Sequence, residues 1–170
     1  MEFAKRKHPR LKSFDYSQNG CYFVTLCTEN KQPSLSCVGR GLAPADHTAI
    51  QLSPIGQIVE QELLALPNRY PFVIVDKYVI MPTHLHAIIH LEGNTANALP
   101  RGTLMDIICT LKSLTTRIYN QGNHLIGHKI WQTSFFEKVI RNEKSYAAVW
   151  EYIEANPLKW EEDEYYSAFS

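Results

Sequence analysis

Two strand-like runs separated by a proline constrain the fold of this 170-residue chain more than any other feature. Residues 72–81 (FVIVDKYVIM) and 84–92 (HLHAIIHLE) are rich in aliphatic and β-branched residues, which favours β-strands. Pro82 lacks a backbone N–H, so one uninterrupted central strand cannot pass through it. The sequence therefore predicts two neighbouring strands joined by a tight turn near residues 81–83.

The rest of the chain alternates between strand-like and helix-like patterns. Period-two and 3.6-residue patterns, with their capping residues, predict strands at 21–28 and 129–141 and helices at 53–67, 103–122 and 142–156. Residues 33–49 contain Gly and Pro without any periodicity and are predicted to be an irregular insertion.

The predicted order is strand, helix, strand, strand, helix, strand, helix. This order fits an α+β fold, in which a ferredoxin-like β-α-β-β-α-β antiparallel sheet has helices on one face and is followed by a C-terminal helix. The length suits one domain over residues 1–170, with residues 1–20 as a basic N-terminal arm. The second face of the sheet is then expected to be open for a site.

Charge and cysteine content narrow the function classes. Lys plus Arg and Asp plus Glu both number 17, so the chain has no bulk charge for coating nucleic acid. The four cysteines show no CxxC spacing. The N-terminus does not resemble a signal peptide, and no apolar run reaches the roughly 18 residues that span a bilayer. We therefore expect a cytoplasmic protein without membrane contact. Residues 161–164 form an acidic run to which the sequence assigns no role.

His84 and His86 flank Leu85 within the second of the two predicted strands. Residues two apart on a strand point to the same face, so both imidazoles are expected to project together while Leu85 points into the core. Such a pair can bind a metal ion, but a bare His-X-His is more often a pair of surface histidines. His90 shares the face, yet it lies roughly 13 Å from His86 along a strand and is interpreted as structural.

The last predicted helix supplies a second group of polar side chains. Its apolar stripe runs from Tyr146 to Ile153, and Tyr152 lies roughly 110° from the centre of that stripe. Asn156 is four residues further on and stands on the same flank. A hydroxyl and an amide therefore meet near the end of the helix, and Tyr152 is not expected to be a core tyrosine.

The run YVIMPTHLHAIIH, followed about 40 residues later by WQTSFFEKVIRNEKSYAAVWEYIEANPLKW, resembles the single-tyrosine HUH transposases. This family includes insertion-sequence transposases and REP-associated tyrosine transposases. The resemblance begins at RLKSFDYSQNGCYFVTLCT and extends almost to Trp160, so it covers most of the chain. One departure is Thr83, where we expect asparagine before the first histidine.

The resemblance implies a metal-dependent endonuclease and transposase that cuts and rejoins single-stranded hairpin DNA by transesterification through a 5′-phosphotyrosine. By position, it implies Tyr152 as the nucleophile and His84, His86 and Asn156 as metal ligands. Mg²⁺ or Mn²⁺ is the implied ion, and imidazole ligands alone would also suit Zn²⁺. Relatives act either as monomers or as homodimers in which the tyrosine serves the partner's site.

Basic side chains are the candidate contacts to DNA phosphate. They are Lys5, Arg6, Lys7, Arg10 and Lys12 in the arm, with Lys112, Arg117 and Arg141 as weaker candidates. The arm could equally be a solvated terminus; if it clamps a hairpin, deleting residues 1–12 changes hairpin affinity and its salt dependence.

Two other function classes stay open at this point. A domesticated or inactive relative would bind structured single strands without cutting them. A hydrolase of small phosphoesters would use the histidines and would not need Tyr152.

Overall fold

The computed structural model describes residues 19–40, 48–93, 102–163 and 165. The helices and strands within these ranges are β1 (Gly20–Cys27), β2 (Ser36–Arg40), β3 (Thr48–Leu52), α1 (Pro54–Leu64), α2 (Leu66–Arg69), β4 (Val73–Ile80), β5 (His84–Leu91), α3 (Leu104–Gly122), β6 (Phe136–Ile140) and α4 (Glu143–Ala155). Short 3-10 turns occupy Glu29–Lys31 and Trp160–Glu162. Among the described helices, none combines the length and the apolar character needed to cross a membrane.

The main sheet has four strands in the order β4-β5-β1-β6, and every neighbouring pair is antiparallel. The first crossover, from β1 to β4, contains α1, and the second, from β5 to β6, contains α3. This strand order and these crossovers are ferredoxin-like, so the predicted fold class is confirmed.

The strands carry a separate hydrophobic cluster on each face, as their period-two alternation requires. On the first face, Leu85 and Ile89 of β5 belong to a cluster that includes residues of α1 and α3. On the second face, Ile88 packs in a cluster with Val149 and Ile153 of α4. The expectation that the second face is open is therefore wrong, because α4 lies across it.

Residues 33–49 are more regular than predicted. Strands β2 and β3 form a two-stranded antiparallel sheet, with Ser36 opposite Leu52 and Val38 opposite Ile50. Val38 and Ile50 pack against the hydrophobic cluster on the second face. The prediction of an irregular insertion is wrong for residues 36–40 and 48–49, since cross-strand pairing and this contact stabilise segments whose local composition signals only turns. Residues 41–47 lie outside the described residues.

The predicted strand at 129–141 is shorter in the structure, where β6 covers Phe136–Ile140. Contacts with α3 hold the preceding segment in place. The indole N–H of Trp131 donates to Thr115 Oγ1 at 2.8 Å, and Lys112 Nζ donates to the carbonyls of Gln132 and Thr133. Side chains of α3 and an isolated β-bridge between Trp131 and Thr28, instead of a continuous ladder, therefore position residues 131–133.

Gly56, in the first turn of α1, offers a sharp test of the packing between α1 and the chain before β2. A Cβ at this position would lie 2.0 Å from the Leu35 carbonyl oxygen, which already accepts hydrogen bonds from Ser53 N and Oγ. We expect Gly56→Ala to lower the free energy of unfolding by about 3 kcal/mol, measured by urea denaturation, because backbone must move to relieve the overlap.

Gly122→Ala is the matched control for this measurement. Gly122 ends α3, and a Cβ there would have no heavy atom within 4 Å, so helix propensity alone should leave stability equal or about 1 kcal/mol higher. Equal stability of the two variants would contradict the close approach at Leu35.

Candidate active site

Strand β5 places His84 and His86 side by side on the second face of the sheet. Their ring centroids are 4.3 Å apart, and Leu85 points into the opposite cluster, which confirms the predicted alternation. Both imidazoles are buried, at 0% and 1% exposed, because α4 and the residues after it pack over them. The pair is therefore an interior group, and the interpretation as ordinary surface histidines does not fit.

Helix α4 contributes Tyr152 and Asn156 to the same place. Its start is fixed by Asn142, whose side chain accepts from the backbone N–H of Ser145 at 2.8 Å. The Tyr152 hydroxyl lies 3.3 Å from Nε2 of His86. Asn156 is 3% exposed and ends the helix. The structure thus brings together the four residues that the resemblance singles out.

The Tyr152 ring is half-buried in the cluster on the second face, where it meets Phe23 edge-on at 6.0 Å between centroids. The prediction that Tyr152 lies off the core stripe is correct for its hydroxyl, which reaches His86, but the ring itself is packed. This packing limits the positions that the hydroxyl can take relative to the imidazoles.

The contacts of Thr83 favour one tautomer of His84. The Thr83 hydroxyl donates to the carbonyl oxygen of Tyr165 at 3.0 Å and lies 3.2 Å from Nδ1 of His84. A hydroxyl has one proton, so it must accept from the N–H of His84 Nδ1. The lone pair of His84 is then on Nε2, which is buried without a hydrogen-bond partner. The residue that departs from the family pattern therefore orients the first histidine.

Thr25 takes the equivalent place beside His86. The β1–β5 register sets Thr25 directly opposite His86, and the Thr25 hydroxyl lies 2.8 Å from His86 Nδ1. Both tautomers of His86 satisfy these contacts, because the Thr25 and Tyr152 hydroxyls can each donate or accept. In the tautomer with Nδ1–H donating to Thr25, Nε2 accepts from the Tyr152 hydroxyl. The sequence did not indicate Thr25, because strand register is not visible in local composition.

Two residues that the sequence did not indicate, Asp163 and Tyr165, also lie beside the paired histidines. Asp163 accepts from Asn156 Nδ2 and from the backbone N–H of Tyr165, each at 2.7 Å. The Tyr165 ring lies 4.7 Å from the His84 ring. The acidic run at 161–164 was visible in the sequence, but nothing marked Asp163 as the acid that turns toward the histidines.

Burial keeps both imidazoles neutral. Burial lowers the pKa of His84 to about 4, and the charge of Lys31 lowers this pKa as well. The charge of Asp163 and the Asn156 side chain raise the pKa, but their effect is smaller than that of burial. Burial, and then the neighbouring His84, lower the pKa of His86 well below its usual value. Metal binding requires neutral imidazoles, and both rings are in this form at neutral pH.

These pKa values predict that the metal-free protein loses stability in acid. An unfolded His84 takes up a proton near pH 6.5 and the folded one only near pH 4, so the unfolded state binds more protons between these values. The free energy of unfolding should therefore fall by roughly 3 kcal/mol from this histidine as pH decreases from 7 to 4. Urea denaturation with chelator at several pH values measures this slope.

His84→Gln should flatten the pH dependence of stability, and His90→Gln serves as its control. His90 lies on the same strand but hydrogen-bonds to Asp76 at 3.0 Å, away from the paired histidines. An unchanged slope in His84→Gln would contradict the assignment.

The candidate DNA contacts within the described residues lie in different parts of the fold. Lys5, Arg6, Lys7, Arg10 and Lys12 lie outside the described residues. Lys112 and Arg117 are on α3, which packs on the other face of the sheet from the histidines, and the Lys112 ammonium donates to carbonyls of its own chain. Arg141 is exposed just before α4. Lys31, which the sequence did not single out, lies closer to the site, with its Nζ 5.5 Å from the centroid of the Tyr165 ring.

The side chains present fit a divalent cation. His84 Nε2 and Asn156 Oδ1 are both buried and lack a hydrogen-bond partner, which is costly unless another group occupies that space. Nitrogen of neutral imidazole and oxygen of an amide are both good ligands for divalent metals. The donor set therefore agrees with the ligands that the resemblance implies.

Several known proteins are similar to this chain in sequence or in fold. No protein-family model matches the chain. An uncharacterized protein of Haemophilus influenzae is 32% identical over 95% of this chain and 93% of its own length. A REP-associated tyrosine transposase of Escherichia coli K12 is 28% identical over 85% of this chain and 70% of that protein. The solved structure of a REP-associated tyrosine transposase bound to a REP hairpin superposes with a TM-score of 0.56, at 22% identity, over 94% of this chain and 74% of that one.

The structure thus combines a ferredoxin-like sheet, a buried His-X-His pair and a tyrosine hydroxyl brought to that pair by a separate helix. The relatives named as REP-associated tyrosine transposases, together with the shared fold, support assignment of the chain to the single-tyrosine HUH transposase family.

Proposed function

We propose that this chain is a metal-dependent tyrosine endonuclease and strand transferase that acts on single-stranded hairpin DNA. The observation that carries the proposal is the position of the Tyr152 hydroxyl, 3.3 Å from Nε2 of His86 and beside the paired imidazoles. The similarity to a REP-associated tyrosine transposase, and to one whose structure contains a REP hairpin, supports the choice of substrate.

In the proposed reaction, the Tyr152 oxygen attacks the phosphorus of a phosphodiester. A bond forms between that oxygen and phosphorus, the bond from phosphorus to the 3′ oxygen breaks, and the leaving strand takes a proton to become a 3′-hydroxyl. Attack of a 3′-hydroxyl on the phosphotyrosine reverses the exchange and rejoins DNA. Each step trades one phosphate ester for another, so no nucleotide cofactor is needed.

The other residues of the site hold and shield the reacting groups. Thr83 and Thr25 orient the two imidazoles through Nδ1, which directs both Nε2 atoms toward the site. His84, His86 and Asn156 would hold the divalent ion. When bound, the ion would supply a Lewis acid that polarises the scissile phosphate and so assists attack by a tyrosine hydroxyl. The ring contact between Tyr152 and Phe23 restricts the nucleophile to a small range of positions.

A suicide-substrate assay tests this proposal. Hairpin oligonucleotides from the sequences around the gene, each nicked just past the candidate cleavage site, are incubated with the full chain and Mg²⁺ or Mn²⁺. We expect a covalent protein–DNA adduct on denaturing gels, mapped by mass spectrometry to Tyr152 and absent with chelator. Hairpin binding without an adduct under either metal would contradict the proposal and indicate a relative that only binds structured DNA.

A further inference from the structure

We propose that Asp163 is a further ligand of the same divalent ion, so that a carboxylate from the segment after α4 joins the two imidazoles and the Asn156 amide. This inference rests on the proposed function, and it adds a residue that the resemblance does not imply. It also identifies a role for one member of the acidic run at 161–164.

The geometry around Asp163 is that of a ligand group. Single donor atoms of His84, His86 and Asp163 all lie within 4.8 Å of one another, close enough to surround one ion. The lone pair of His84 Nε2 is buried and lacks a hydrogen-bond partner. A buried acceptor without a donor, next to a carboxylate, is destabilising unless a cation lies between them.

The carboxylate is held in place and still has capacity to bind. One oxygen of Asp163 accepts from Asn156 Nδ2 and the other from Tyr165 N–H, both at 2.7 Å. A carboxylate offers about four lone-pair sites, so these two bonds leave others available. Hydrogen bonds from neighbouring groups to a ligand carboxylate are typical of metal sites, where they orient the ligand. Asn156 would therefore position Asp163 through its N–H₂ group in addition to offering its own carbonyl oxygen.

Burial distinguishes Asp163 from the two acids that precede it. Glu161 and Glu162 are exposed, whereas Asp163 is half-buried against the histidines. The 3-10 turn Trp160–Glu162 ends at Asp163, and its buried Trp160 ring lies 6.0 Å from the His84 ring between centroids. Glu162 thus provides a matched control with the same charge in the same run.

A carboxylate would change which ion the site prefers. Two imidazoles and an amide suit Zn²⁺, whereas a carboxylate oxygen is a harder, charged ligand that favours Mn²⁺ and Mg²⁺. The removal of the Asp163 charge should therefore weaken Mn²⁺ binding more than Zn²⁺ binding.

Titration calorimetry on the DNA-free full chain tests the inference, with Mn²⁺ and Zn²⁺ as separate probes. We expect Asp163→Asn to lower Mn²⁺ affinity at least tenfold, with a smaller loss for Zn²⁺, and Glu162→Gln to stay within about twofold of the unmodified chain. Tyr165→Ala removes the ring over the histidines but keeps the backbone N–H, and it should also retain most Mn²⁺ affinity. His86→Ala should abolish binding of both ions.

Three results would overturn the inference. The first is that Asp163→Asn binds Mn²⁺ as tightly as Glu162→Gln does. The second is that Tyr165→Ala loses as much Mn²⁺ affinity as Asp163→Asn, and the third is that the unmodified chain binds neither ion. The adduct assay separates this failure from that of the proposed function, because a Tyr152 adduct that forms in Asp163→Asn at the same Mn²⁺ concentration as in the unmodified chain leaves the proposed function intact.

Discussion

Replacement of Tyr152 with phenylalanine is expected to abolish the covalent protein–DNA adduct and strand cleavage, with a loss of at least about 10⁴-fold. The variant removes a single oxygen, the atom that lies 3.3 Å from His86 Nε2, and keeps the ring that packs against Phe23. Folding and hairpin affinity should therefore remain close to those of the unmodified chain. Single-turnover cleavage of a nicked hairpin and a gel-shift titration measure the two properties separately.

Tyr146→Phe is the matched control for this variant. Tyr146 is on the same helix, but its hydroxyl donates to Asp76, and its ring lies beside His90 instead of the paired histidines. It should retain cleavage. An adduct that persists in Tyr152→Phe would show that another group is the nucleophile. Cleavage that disappears equally in both variants would show that the loss arises from folding and not from the missing Tyr152 oxygen.

His86→Ala is expected to have the second large effect, a loss of detectable metal binding together with at least a 100-fold loss of adduct formation. The substitution removes a nitrogen that points into the site and leaves a cavity beneath α4, so part of the effect can arise from stability. Circular dichroism and urea denaturation establish whether the variant folds. Calorimetry with Mn²⁺ then reports the metal site independently of cleavage.

Thr25→Val separates the loss of metal binding from the loss of packing. Valine has nearly the volume of threonine but lacks the hydroxyl that lies 2.8 Å from His86 Nδ1, so the imidazole stays while its orientation is no longer fixed. We expect metal affinity to fall about 10-fold to 100-fold. His90→Gln, on the same strand, should leave it unchanged.

The histidine and tyrosine variants together distinguish the function classes. If Tyr152→Phe retained activity on small phosphoesters while His86→Ala lost it, the chain would be a hydrolase that does not use the tyrosine. An adduct that forms with the unmodified chain and is lost in both folded variants supports the proposed transesterification.

The parts of the site that could be predicted follow from local periodicity. The two-residue period of β5 sets His84 and His86 on one face, and the four-residue spacing on α4 sets Asn156 beside Tyr152. Each of these two spacings lies within a single strand or helix, so both can be predicted from the sequence before the fold is known. The fold class was equally accessible, because the order of elements limits the possible sheets.

The missed features depend on contacts between distant segments. Thr25 faces His86 because of strand register across 61 residues, and Asp163 reaches the histidines because the chain turns back after α4. The burial of both imidazoles has the same origin, since only the packing of α4 across the sheet excludes solvent from them. The β2–β3 hairpin was missed because its two strands are five residues long and depend on each other and on the second cluster.

The hydrogen bond from Asn156 to Asp163 has a consequence for any assembly in which chains exchange their final helices. It joins the end of α4 to the segment that follows, so the nucleophile, the amide and the carboxylate form one unit held together by its own contacts. A chain that exchanged α4 with a partner by opening at residues 141–142 would carry all three groups across. Each composite centre would then combine the histidines and threonines of one subunit with the phenol, amide and carboxylate of the other, and neither half would be complete alone.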